Sequence, residues 1–119
     1  MNFEKLSVWK ESKQLAVELY LHFQVSRDFG FKDQITRSGL SVPSNIAEGM
    51  SRKTFKDKCH FLVIAKSSCA ELRTQIYIGI DIGYIDKATG NNWLDKTRHI
   101  SAMLSGLISR INEDVKNLP

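Results

Sequence analysis

Apolar residues recur at helical spacing in four segments of this chain. Steps of three, four and seven residues between apolar positions are typical of amphipathic helices, and no segment alternates as a strand does. The pattern therefore predicts an all-α fold. Its four helices run from about Phe3 or Leu6 to Gln24, from about Phe31 to Met50, from about Thr54 to Ile82 and from about Trp93 to Asn117.

Short polar breaks join these helices, and the last of them, Asp86 to Asn92, has the composition of a turn, with Asn92 as the N-cap of the fourth helix. Short connections between long helices force neighbours to run antiparallel. With 119 residues the chain is long enough for one core and too short for two. We therefore expect a single domain over residues 1–119, an antiparallel up-down-up-down four-helix bundle.

Pro43 lies inside the second helix, in the sequence Ser-Val-Pro-Ser-Asn-Ile-Ala-Glu-Gly over residues 41–49. Because a proline cannot donate to the carbonyl of Gly39, the helix is expected to kink there. The kink could wrap the helix around its neighbours. It could also aim Asn45, Glu48 and the basic turn that follows at a ligand.

Polar residues interrupt the apolar faces of the second and third helices. Asn45 and Glu48 share one face of the second helix, and Ser68, Glu71 and Gln75 share one face of the third. A carboxylate between helices must be paired or hydrogen-bonded, because an unpaired one costs several kcal/mol. We interpret these five residues as a structural polar layer that fixes the register of the bundle. The alternative is a small-ligand or enzymatic site built on Asn45, Glu48 and Glu71.

Charge is unevenly distributed along the chain. The net charge of +4 is modest, but residues 52–73 hold six basic and two acidic residues and so contain the whole excess. A local field of this kind suits the phosphate backbone of a nucleic acid, although many charged runs are only solvated surfaces. No aromatic ladder accompanies the patch, so base stacking is not indicated. The candidate nucleic-acid-binding residues are Arg37, Arg52, Lys53, Lys56, Lys58, Lys66 and Arg73.

Catalytic and metal-binding patterns are missing from the sequence. His22, His60 and His99 fall on three different helices without a motif. Cys59 and Cys69 lie ten residues apart in one predicted helix, about 15 Å along its axis, which is too far for a disulfide. We expect free thiols, no enzyme activity, no metal and no cofactor. No apolar run approaches the length of a membrane span and the first residues are not a secretory signal, so the expected location is the cytoplasm.

Many of these residues together resemble the bacterial four-helix-bundle family related to the protein encoded in intervening sequences of 23S ribosomal RNA genes. The family also includes the accessory variability determinant of diversity-generating retroelements. The resemblance covers nearly the whole chain. Its segments are Phe3–Leu6, Val8–Lys10, Phe29–Phe31, Gln34, Arg37, Ser41–Gly49, Arg52, Phe61–Ala65, Ser68, Glu71–Leu72, Thr74–Gln75 and Gly83–Ile85.

The resemblance implies a ring-like homopentamer, which would gather the local charge of several protomers around one axis. Its retroelement members imply a nucleic acid, or a nucleic-acid enzyme such as a reverse transcriptase, as partner. Two positions depart from the family pattern: Thr36-Arg37 replaces an arginine pair, and Ser67 replaces a glycine. We therefore expect a non-enzymatic oligomeric bundle that binds RNA or DNA. The alternative is a protein-interaction or assembly module with no nucleic-acid role.

Overall fold

The computed structural model describes residues 2–119, which form helices and contain no strand. This confirms the predicted all-α class and the number of long helices. A short 3-10 turn, Phe3–Lys5, precedes them. The helices are α1 (Ser7–His22), α2 (Phe29–Met50), α3 (Phe55–Asp81) and α4 (Lys87–Lys116).

Side-chain caps explain where three of the helices begin. Asp28 accepts from the amide of Phe31 at 3.1 Å and starts α2, and Thr54 accepts from the amide of Asp57 at 3.1 Å and starts α3. Asp86 accepts from the amide of Thr89 at 2.8 Å and starts α4. Each cap satisfies an amide that has no partner inside its helix.

The fourth helix begins about one and a half turns earlier than the sequence predicted. Residues 87–92, expected to be a turn capped by Asn92, are helical, and Asp86 is the N-cap instead. Gly90 is buried there against Ile80 and Ile85 of the preceding helix and loop. The glycine that looked like a turn signal is needed because a larger side chain would not fit at this contact.

The third helix ends with a residue in the left-handed region. Gly83 has φ 81°, a conformation that glycine adopts without strain. The amides of Tyr84 and Ile85 then donate back to the carbonyl of Gly79 at 2.8 and 3.1 Å. This reversal leads directly into the cap of α4.

The four helices pack around one core. Helix α2 packs against α1 and α3, and α4 packs against α3 and α1. Across residues 2–119, α1 and α3 share no Cα pair within 8 Å, and neither do α2 and α4, so each of these pairs lies across a diagonal of the bundle. The bundle measures 55 × 21 × 20 Å. Its fully buried side chains include Leu19, Ile35, Ile46, Leu62, Ile76 and Leu104.

Helix α2 continues through Pro43 as one element from Phe29 to Met50. A β-carbon at Gly49 would lie 3.1 Å from the carbonyl oxygen of Lys58 and 3.1 Å from the β-carbon of Phe61, so the two helices approach closely after the proline. The kink expected at Pro43 stays a prediction, as does the up-down direction of the helices.

Candidate nucleic-acid interface

The turn between α2 and α3 presents two lysines to solvent. Lys53 lies just before the Thr54 cap and Lys56 lies in the first turn of α3, and both are exposed. Neither has an acidic partner or a side-chain hydrogen bond within residues 2–119. Lys66 is likewise exposed and unpaired, further along the same helix. These three lysines are the predicted binding residues that remain free to meet an anion.

The two other basic residues near the turn, Arg52 and Lys58, make hydrogen bonds to groups at the end of α2. Arg52 donates through Nη2 to Oε1 of Glu48, and its guanidinium lies 4.7 Å from the centre of the Phe61 ring. Lys58 is half-buried and donates to the carbonyl of Met50 at 3.2 Å, which satisfies an end of α2. Both therefore stabilise the turn.

Arg37 and Arg73 lie away from the turn. Arg37 donates to the Asp33 carboxylate at 2.9 Å, and this hydrogen bond raises the pKa of the Arg37 guanidinium above its usual value. Arg73 is half-buried and donates to the hydroxyl and carbonyl oxygens of Thr97 at 3.1 and 3.3 Å. The predicted basic line along α3 is thus reduced to Lys66, because Arg73 turns towards α4.

A polar layer lies between α2 and α3, but its residues differ from the five that the sequence predicted. The hydroxyls of Ser41 and Ser68 are hydrogen-bonded at 2.8 Å, and Asn45 Nδ2 donates to the carbonyl and hydroxyl oxygens of Ser41 at 2.8 and 2.9 Å. Gln75 lies half-buried two helical turns after Ser68 on α3, and its Oε1 is buried without a partner. The Ser41–Ser68 hydrogen bond therefore links the two helices, and Asn45 supports it from within α2. The sequence missed Ser41, although its spacing of four from Asn45 places it on the same face.

Glu48 and Glu71 do not belong to this layer, because both are exposed. Glu48 pairs with Arg52, four residues later and just beyond the end of α2. Glu71 has no ion pair or side-chain hydrogen bond in the part of the chain that the structure describes. Because neither carboxylate is buried between the helices, the geometric basis for a ligand site on Asn45, Glu48 and Glu71 is removed.

The cysteines and histidines of residues 2–119 belong to no group that could hold a metal ion. Cys69 is fully buried, and burial raises the pKa of its thiol, while Cys59 is half-buried; both are free thiols. His22 Nε2 lies 2.9 Å from the carbonyl oxygen of Tyr84, and His99 lies 3.5 Å from the carboxylate of Glu11. Among residues 2–119, no three His, Cys, Asp or Glu side chains are grouped so that they could hold a metal ion. No helix among the same residues has the length and hydropathy to cross a membrane.

Comparisons with known proteins place these features in context. Residues 4–106 match the family described as 23S rRNA-intervening sequence protein. A solved structure of a protein with unknown function from the S23 ribosomal protein family of Bacteroides thetaiotaomicron is similar, with a TM-score of 0.79 and 25% identity. The match covers 85% of this chain and 97% of that chain. No curated protein matches.

Proposed function

The chain belongs to the 23S rRNA-intervening sequence protein family, and from this membership and the charge distribution we propose that it is a non-enzymatic, self-associating bundle that binds the phosphate backbone of RNA or DNA. The observation that carries the proposal is the pair Lys53 and Lys56. Both extend from the α2–α3 turn without an acidic partner in residues 2–119. Lys66 extends this surface along α3.

The way the neighbouring basic residues are held supports this function. Arg52 is fixed by Glu48 and Phe61, and Lys58 by the end of α2, so the turn that displays the free lysines is itself well ordered. Lysine ammonium groups attract phosphates without reading base edges. The bound nucleic acid is therefore recognised by charge and shape, and association of several protomers multiplies the number of phosphates contacted.

The proposal includes the direction of the helices and the kink at Pro43. Contacts between α2 and α3 support antiparallel packing: Gly49 lies near Lys58, Ser41 meets Ser68 and Phe31 lies near Gly79, so residue numbers fall on one helix as they rise on the other. The missing amide of Pro43 supports the kink. This arrangement puts the α2–α3 turn at one end of the bundle, where a nucleic acid can approach it.

A fluorescence-anisotropy titration tests the function. Single- and double-stranded RNA and DNA oligonucleotides are titrated over a range of NaCl concentrations, with wild type and with the double variant Lys53→Gln/Lys56→Gln. The slope of log K against log salt should become shallower by about 2 in the variant, since each phosphate contact contributes roughly one. The matched control is Arg27→Gln/Lys87→Gln, which removes the same charge from exposed residues at the other helix ends and should keep the wild-type slope. Absence of binding to every oligonucleotide at low salt would refute the function.

A further inference from the structure

Arg52, in the α2–α3 turn, presents a flat surface beside the free lysines. Its guanidinium carbon lies over the Phe61 ring, 4.7 Å from the ring centre. The Arg52 side chain is nevertheless 44% exposed. Phe61 covers one face of the planar group, so the exposed area lies on the opposite face and along the free edge. We call Arg52 together with Phe61 the guanidinium platform.

Close packing of the two helices holds the guanidinium platform in place. A β-carbon at Gly49 would lie 3.1 Å from the β-carbon of Phe61, so the last turn of α2 lies directly against this part of α3. The amide of Arg52 donates to the carbonyl of Gly49 at 3.1 Å, which fixes the backbone that carries the guanidinium. A side chain that is already held loses little conformational freedom when a ligand binds. The platform is therefore preorganised for a ligand.

Glu48 makes the guanidinium platform better suited to a base than to a phosphate. Its carboxylate accepts a hydrogen bond from Nη2 of Arg52, and the two opposite charges offset each other. A phosphate at this point would meet the carboxylate as well as the guanidinium, whereas Lys53 and Lys56 have no acidic partner in residues 2–119. Stacking is not blocked in this way, because the carboxylate occupies an edge of the guanidinium and a flat ring contacts its face.

Nucleic acids offer a free ring face only where their bases are unpaired. In a duplex the bases stack on one another, whereas the bases of single strands, loops and bulges can stack on aromatic rings or arginine guanidinium planes. The sequence has no aromatic ladder, and the guanidinium platform supplies a stacking surface that does not need one. Lys53 follows Arg52 directly, with its Cα about 3.8 Å away. A phosphate at Lys53 and a base on Arg52 can therefore belong to one strand.

We propose that an unpaired base stacks on the face of Arg52 opposite Phe61, while Lys53 and Lys56 bind phosphates of the same strand. The α2–α3 turn then takes a single strand, or an unpaired loop of a folded RNA, in preference to a duplex. Since stacking does not read the edges of a base, this recognition tolerates many sequences. The inference rests on the proposed function and names the class of nucleic acid that the turn binds.

Abasic strands separate base stacking from phosphate contacts. The probes are a labelled single-stranded oligothymidine, an abasic strand of the same length, and a duplex of that length, all titrated at the same low salt concentration. The oligothymidine and the abasic strand carry the same phosphates and differ only in their bases. Wild type should bind the oligothymidine about 10-fold more tightly than the abasic strand, since stacking one base contributes a factor of this order. It should also bind the oligothymidine more tightly than the duplex.

Two variants remove the guanidinium platform without changing the net charge. Arg52→Lys keeps a cation beside Glu48 but has no planar face, so it should bind the oligothymidine and the abasic strand equally. Phe61→Leu keeps an apolar side chain but removes the ring that supports the guanidinium, so it should lower the preference for the oligothymidine as well. The matched control is Arg98→Lys on α4, where the arginine is also exposed and paired with an acid, Asp95. It should keep the wild-type preference.

Three results would overturn the stacking of a base on Arg52. They are equal binding of the oligothymidine and the abasic strand by wild type, a full preference in Arg52→Lys, and a duplex that binds as tightly as the oligothymidine. Circular dichroism checks that the variants are folded, and if Arg52→Lys does not fold, an unchanged preference in Phe61→Leu overturns the inference instead. Equal, salt-sensitive binding of the two strands would leave the proposed function intact, whereas no binding to any strand at low salt would refute the function itself.

Discussion

Two neighbouring segments of the chain use polar residues in opposite ways. In the second half of α2, Ser41 and Asn45 direct their polar groups into the α2–α3 contact, and Gly49 lets the helices approach. Directly after it, Lys53 and Lys56 have no acidic partner and no side-chain hydrogen bond in residues 2–119. The polar residues of the first segment stabilise the fold, and the lysines of the second segment are available to bind a partner. The unusual sequence around Pro43 therefore serves helix packing. The basic turn that follows it is the better candidate for a binding surface.

The largest expected effect on stability is in the second half of α2. Ile46 is fully buried, so Ile46→Ala should lower the free energy of unfolding by about 2–5 kcal/mol through lost burial and a cavity. Urea denaturation followed by circular dichroism measures this. Ser44→Ala, at an exposed position two residues earlier, should stay within about 0.5 kcal/mol of wild type. Equal losses in the two variants would contradict the view that this segment stabilises the fold through its buried side chains.

A smaller effect is expected in the hydrogen-bonded layer. Asn45→Ala removes the amide that donates to the carbonyl and hydroxyl of Ser41, and it should cost about 1 kcal/mol. The Ser68→Ala change should cost a similar amount, because it leaves the Ser41 hydroxyl without its cross-helix partner. A double-mutant cycle then measures the coupling between these two positions. Strictly additive losses would show that they do not act as one layer.

Much of this division could be predicted from the sequence, because buried faces follow a periodic pattern. The spacing of apolar residues predicted four helices and placed Asn45 and Ser68 at the contact. The spacing could not decide whether Glu48 and Glu71 are buried. Both lie at the edge of their helix faces, where a small rotation of the helix separates burial from exposure. Arg73 was expected on the basic surface, but its long side chain reaches Thr97 on α4, a contact that periodicity does not contain. Gly90 was included in a predicted turn, because the sequence pattern does not contain its tertiary contact with Ile80.

The N-cap of α2, Asp28, and the N-cap of α3, Thr54, should respond differently to acid. The amide of Phe31, and then the hydroxyl of Tyr84, lower the pKa of Asp28 below its ordinary value of 3.8. Since the folded state lowers this pKa, Asp28 contributes stability that is present above 3.8 and is lost as the pH falls through the folded value. Urea denaturation over a pH series from 6 down to 2 should therefore show a shallower acid loss for Asp28→Asn than for wild type.

The Thr54 cap beside the basic turn is the natural control, because its hydroxyl does not titrate. Thr54→Ala should cost about 1 kcal/mol, and the cost should be the same at every pH in the series. A loss in Thr54→Ala that grows on acidification would show that the turn also carries a titrating contact. A constant loss would show that the cap beside the free lysines makes no acid-sensitive contact.

The smallest effect on stability is expected where the two segments meet, at the pair Glu48 and Arg52. The pair is exposed and lies one turn apart on a helix end, so Glu48→Gln should change the free energy of unfolding by no more than about 0.5 kcal/mol. Glu48→Gln should have a clearer effect on nucleic-acid binding than on stability. Removing the carboxylate frees the Arg52 guanidinium for a phosphate, and the slope of log K against log salt should steepen by up to about 1. Asp95→Asn, which releases Arg98 from a similar exposed pair on α4, is the matched control and should leave the slope unchanged. If Glu48→Gln weakened binding, the carboxylate would belong to the binding surface, and the boundary between architecture and function would lie within α2, before Gly49.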